Sequence, residues 1–108
     1  MPEKTCVKLE VYVPEEYAEK LKAALFEAGA GKIGNYDCCC WQTSGVGQFR
    51  PLAGSNAFIG KQGNIEKVPE TKIELLCPAG KIKEIIEALK KAHPYETPAF
   101  QYWNVKIN

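Results

Sequence analysis

The chain has 108 residues, 14 basic against 13 acidic, a formal net charge of +1 and a 45% hydrophobic share. That length holds one domain with a core of its own, needing neither disulfide nor metal, and the near-balance of charge excludes the basic stripe of a nucleic-acid-binding surface. No apolar run approaches the roughly 18–20 residues of a membrane span, and Met1-Pro2-Glu3-Lys4 opens without the apolar stretch of a secretory signal, so a cytoplasmic protein with reduced thiols is expected.

Val7, Leu9, Val11 and Val13 alternate with Lys8, Glu10 and Tyr12, the period of a strand with one buried face. Pro14 ends it and suits the first turn of a helix, where Glu15 and Glu16 complement the dipole. Tyr17, Leu21, Leu25 and Ala28, with Ala24 beside them, draw one apolar stripe, and Gly29 is placed to cap it. Tyr36 to Thr43 reads as a second strand, Ser44-Gly45-Val46-Gly47 as a turn, and Gln48-Phe49-Arg50 as a short returning arm. Leu52 to Asn64 has no period and carries Gly54, Gly60 and Gly63, which predicts a long functional or mobile loop. Lys67 to Cys77 alternates again. Ile82, Ile85, Ile86, Leu89 and Ala92 trace a second amphipathic helix that Pro94 must end, and Phe100 to Val105 form a last strand.

The order β-α-β-β-α-β is the split arrangement of a ferredoxin-like α+β sandwich, residues 1–108 forming one domain: an antiparallel four-stranded sheet with two helices on one face. The other face would carry Tyr12, Cys39, Leu76 and Trp103. A face that apolar is expected to be covered, most simply by copies of the same chain.

Several motifs invite chemistry. Gly29-Ala30-Gly31-Lys32-Ile33-Gly34 fits G-x-G-x-x-G, but a helix precedes it and a strand follows, the reverse of what a dinucleotide site requires. Gly54 to Lys61 has one residue too many between its glycines for a P-loop, and Gln62 follows the lysine. What remains is a loop in which Gly54, Ser55, Asn56 and Lys61 could meet an anion. Cys38-Cys39-Cys40 lacks the paired spacing of a structural zinc site. Adjacent cysteines also make poor disulfides, and buried apolar packing is a sufficient reason for a cysteine. His93 is the sole histidine. A helix C-terminus explains it structurally, yet its titration range also makes it the natural metal ligand or proton carrier, with Glu96 and Cys39 as companions. One histidine cannot build a multi-histidine hydrolytic centre.

Taken in order, Gly29-Ala30-Gly31, Ile33-Gly34-Asn35-Tyr36, Cys39, Gly45-x-Gly47-x-Phe49-x-Pro51, Gly54, Ile59-Gly60, Gly63, Glu66, Val68, Glu70, Ile73-Glu74 and Ala92-His93-Pro94-Tyr95-Glu96 resemble the domain inserted in Nif-three-like (YqfO) proteins. His93-Pro94-Tyr95-Glu96-x-Pro98 is also similar to CutA proteins, relatives of the PII signalling fold. Cys40 and Trp41 depart from the serine and phenylalanine usual in the family, and Cys38 adds a third thiol.

The resemblance implies a PII/CutA-like domain standing alone, without the dinuclear metal domain of the long members, and a homo-oligomer, preferentially a trimer. The expected function is therefore a regulatory module binding a small anion, a nucleotide or a divalent metal ion. The ligand residues are Gly54, Ser55, Asn56, Lys61 and Tyr95; the metal residues are His93, Glu96 and Cys39. No catalytic residue and no firm cofactor is assigned. The alternatives are an assembly partner of a longer Nif-three-like protein and a weak hydrolase using His93 and Glu96.

Overall fold

The computed structural model describes residues 4–107; the signal reading of Met1–Lys4 rests mainly on residues outside that span. Strand β1 (Lys4–Pro14) leads through a 3₁₀ turn (Glu15–Tyr17) into helix α1 (Ala18–Glu27). Strands β2 (Trp41–Phe49) and β3 (Glu66–Cys77) follow, then a 3₁₀ turn (Ala79–Lys81), helix α2 (Ile82–Ala92) and strand β4 (Ala99–Ile107). The sheet order is β2-β3-β1-β4, antiparallel throughout. This is the predicted ferredoxin-like arrangement.

The register places Val7, Leu9, Val11 and Val13 beside Cys77, Leu75, Ile73 and Thr71. Both helices lie against this face: Leu21 and Leu25 of α1 and Ile85 and Leu89 of α2 are fully buried with the strand residues in one core. Each fully buried aliphatic side chain contributes roughly 1.5–3 kcal/mol. The two apolar stripes read from the sequence are therefore the surfaces that assemble the sandwich. At the sheet edge, Lys22 of α1 donates to Gln42 of β2 at 2.7 Å.

Two expectations about the second strand are corrected. It begins at Trp41, not Tyr36, and Gly45 and Gly47 lie inside it rather than in a turn. Residues 33–40 instead fold into a tight excursion. Ile33 and Tyr36 exchange backbone hydrogen bonds at 2.9 Å, and the Cys39 amide donates to the Gly31 carbonyl at 2.9 Å. Gly31 and Gly34 adopt positive φ, and so does Cys38 at 55°. These residues turn the chain where sulfur and aromatic content had suggested an extended run. Cys39 accordingly sits on no strand face.

The strand glycines have a different cause. A Cβ on Gly47 would overlap the Glu70 carboxylate, because that side chain lies across Gly47 from the neighbouring strand. Glycine inside a strand here marks a close approach.

On the face away from the helices stand Tyr12, Leu76 and Trp103, as the alternation predicted, but its middle is charged. Lys8 pairs with Glu74 at 3.1 Å, and Lys72 reaches Glu10 at 3.5 Å and Glu74 at 4.0 Å. Tyr12 and Leu76 are half-buried within one protomer, while Trp103 is 44% exposed and Trp41, which shares this face, 70%. The face is thus an ionic lattice flanked by aromatic rings rather than a continuous apolar surface. Among the described residues, no helix is long and apolar enough to cross a membrane.

A candidate ligand pocket at the end of the sheet

At the end of the sheet where β1 finishes and β4 begins, the chain leaves α2 at His93. The His93 amide still bonds to the Leu89 carbonyl at 2.9 Å. Pro94 has no amide to offer, and the backbone turns extended. His93 is 6% exposed. The Tyr95 amide donates to its Nδ1 at 3.1 Å, which fixes the tautomer: Nε2 carries the proton and donates to the Tyr12 carbonyl at 2.7 Å. Burial lowers the His93 pKa, against a smaller opposing pull from the Tyr12 hydrogen bond and Glu70. The imidazole is neutral and joins helix end to strand end.

Tyr95 projects beyond it. Its ring meets Phe49 edge-on at 5.6 Å and tilts against Phe58 at 6.5 Å. Its hydroxyl donates to Glu70 Oε2 at 2.9 Å, and burial, then Glu70, raises the phenol pKa well above its ordinary value. The absent side chain of Gly47 is what lets Glu70 reach this position.

The loop joining β2 to β3 closes over the same place. Gly63 donates to the Pro51 carbonyl at 2.8 Å, and the Ser55 hydroxyl donates to the Leu52 carbonyl at 2.7 Å. Two ties fasten the loop to the rest of the domain. The Asn56 amide donates to Glu96 Oε2 at 3.1 Å, and the Phe58 ring packs edge-on against Tyr17 at 5.6 Å. Between loop, sheet and the segment after α2 lies a cavity of about 420 Å³, with Tyr12, Phe49, Phe58 and Tyr95 among its walls and Arg50, Glu70 and Glu96 among its polar groups.

Of the residues singled out from the sequence, Ser55, Tyr95 and Glu96 line this cavity. Asn56 contributes its amide as the Glu96 tie. Gly54 and Lys61 are exposed on the loop outside the lining. His93 lies behind Tyr95. Cys39 is at the other end of the sheet: it is bonded to Gly31, Gly31 is bonded to Leu76, and Leu76 pairs with Lys8, four residues or about 13 Å along β1 from Tyr12. The structure therefore does not bring His93, Glu96 and Cys39 together. Both nitrogens of His93 are engaged with backbone, leaving no lone pair for a metal ion. Among the described residues, no three His, Cys, Asp or Glu side chains are placed to share one. All five cysteines are free thiols, and burial pushes the Cys77 thiol up to about 11.

Sequence reasoning missed Tyr12, Phe49, Arg50, Phe58 and Glu70. A usable signal was present in Phe49-Arg50-Pro51 and Phe58, aromatics at both margins of an otherwise polar loop.

A four-stranded antiparallel sheet with two helices on one face is the ferredoxin-like fold that this chain shares with CutA and PII structures. CutA from Xylella fastidiosa superposes with a TM-score of 0.68 over 95% of this chain and 86% of its own, at 21% identity. The GlnK–ATP complex of Bacillus subtilis gives 0.62 over 94% and 82%, at 14%. Identities this low show the fold alone.

More particularly, the chain matches one segment of Nif-three-like (YqfO) proteins. It is 46% identical over 99 residues to the GTP cyclohydrolase 1 type 2 homolog of Bacillus subtilis, covering 92% of this chain and 26% of that protein. A Bacillus cereus protein related to NIF3 superposes with a TM-score of 0.81 at 36% identity, over 97% of this chain and 27% of its own. The chain thus spans about a quarter of the length of the relatives it matches. No model of a known protein family matches it.

Proposed function

We infer that this domain is a regulatory module that binds a small ligand in the cavity beneath the β2–β3 loop and works as a homo-oligomer, preferentially a trimer, in the cytoplasm. The observation that carries the reading is the double fastening of one cavity. The Asn56–Glu96 and Tyr95–Glu70 hydrogen bonds hold two segments, distant in sequence, around a space large enough for a small molecule. The GlnK neighbour, whose structure is a complex with ATP, supports a ligand role for the fold. The exposed Trp41 and Trp103 support a partner on the open face of the sheet.

A divalent-metal reading through His93, Glu96 and Cys39 draws less support, because the three are apart and His93 is fully bonded. The same bonds weigh against His93 and Glu96 as an acid–base pair. A second reading, docking within or onto a longer Nif-three-like protein, is favoured by the relatives' own lengths, about four times the matched segment.

Thermal-shift measurements across nucleotides, simple anions, organic amines and divalent ions test the ligand reading, with sedimentation velocity for the oligomer. A ligand-dependent rise in Tm that Phe58→Ala abolishes is the expected result. No shift with any compound at millimolar concentration overturns the ligand reading, and a monomer at micromolar concentration overturns the oligomer.

A further inference from the structure

The chemistry of the cavity walls is more specific than the reading it rests on. Four aromatic rings border the space: Tyr12, Phe49, Phe58 and Tyr95. Tyr95 meets two of the others at steep angles, 64° to Phe49 and 53° to Phe58. Rings set at such angles present both faces and edges to the hollow beside them. An aromatic face carries negative charge density and attracts a cation within about 6 Å of its centre.

The charged groups agree in sign. Glu70 and Glu96 line the cavity against a single guanidinium, Arg50. Each carboxylate accepts one neutral hydrogen bond, from the Tyr95 hydroxyl and the Asn56 amide respectively. Among the described residues, neither has a lysine or arginine within ion-pair distance; Lys72, the ammonium that lies 6.0 Å from the Tyr12 ring centre, pairs with Glu10 and Glu74 instead. Tyr95 remains a phenol and donates to Glu70, so it holds the carboxylate in place without neutralising it.

We propose that the cavity is a site for a small organic cation, an alkylated or quaternary ammonium group held against the Tyr12, Phe49, Phe58 and Tyr95 rings and facing the Glu70 carboxylate. A compact, strongly hydrated inorganic ion gains little from aromatic walls, and an anion would meet two carboxylates for one guanidinium. An alkylammonium group can shed its weak hydration into the rings and keep its charge opposite Glu70.

Isothermal titration with choline, its neutral carbon isostere 3,3-dimethylbutanol, and inorganic phosphate tests this on the whole chain. Choline is expected to bind in the millimolar range or tighter, at least about tenfold better than the isostere. Glu70→Gln, which keeps an acceptor for Tyr95, is expected to weaken choline about five- to tenfold and leave the isostere unchanged. Phe49→Leu, which keeps the apolar volume, is expected to weaken choline several-fold. Circular dichroism establishes that each variant is folded.

Equal binding of choline and the isostere overturns the cation assignment and leaves the pocket standing as an apolar site. Binding of phosphate in place of choline overturns it in favour of an anion. Binding of none of the three, together with an empty thermal-shift panel, overturns both the assignment and the ligand reading beneath it.

Discussion

The two ends of the sheet use glycine for opposite purposes. At one end, Gly29 and Gly31 follow α1 with φ of 111° and 79°, and their freedom is spent on the main chain: Gly31 donates to the Leu76 carbonyl and accepts from the Cys39 amide. At the other end, Gly47 and Gly60 are spent on side chains, since the Glu70 carboxylate and the Glu66 Cγ lie where their Cβ atoms would be. The first end is a backbone lock. The second leaves room for long polar side chains to cross between strands and loop, and there the cavity lies. Glycine content alone does not mark a binding loop; what fills the vacated space does.

Substitutions at the two ends should therefore fail differently. The largest effect is expected from Gly31→Ala, which imposes a Cβ at positive φ and overlaps both the Cys39 carbonyl and the Phe26 ring. A loss of about 2–4 kcal/mol in urea-denaturation stability is expected, with the pocket unchanged in the protein that remains folded.

Next is the pH response of His93. Its folded pKa lies below the unfolded value of about 6.5, so the unfolded chain takes up a proton that the native one refuses. Stability is full above about pH 6.5 and falls as pH drops through the window down to the folded pKa, with a limiting slope near 1.4 kcal/mol per pH unit. Denaturation midpoints from pH 7.5 to 5 should show the fall, and His93→Gln should flatten it.

Tyr95→Phe removes the hydroxyl that donates to Glu70 and is expected to cost about 1 kcal/mol. The smallest effect is Gly47→Ala, within about 1 kcal/mol, because the overlapped atoms are the mobile end of Glu70. Its value is diagnostic: with Glu70 already displaced, adding Tyr95→Phe should cost less than in the parent chain. Strict additivity in that cycle would show that Gly47 does not clear the way for Glu70.

The architecture was legible because both helices and three of the four strands announce their period. Leu21, Leu25, Ile85 and Leu89 read as core and are fully buried. The second strand was misplaced for a physical reason. Gly45 and Gly47 look like turn residues in isolation, and only Glu70, more than twenty positions away, reveals why a strand contains them. The converse error was to extend the strand back through Cys38–Cys40, where β-forming composition yields to a backbone held by Gly31. At the site, the loop and the segment after α2 both supplied expected ligand or metal residues, but not as two walls of one pocket in a single chain. That they meet within one protomer depends on Tyr12, Phe49 and Glu70, whose strand positions looked like ordinary alternation.

The edge-on seat of Phe58 on Tyr17 carries a mechanical corollary. The loop is not a free flap: lifting it strips a neighbour from the residue that opens α1. Whatever enters or leaves beneath the loop is thereby felt at the first turn of a helix on the opposite side of the sheet, and amide exchange in that turn would register occupancy at a distance from the contact itself.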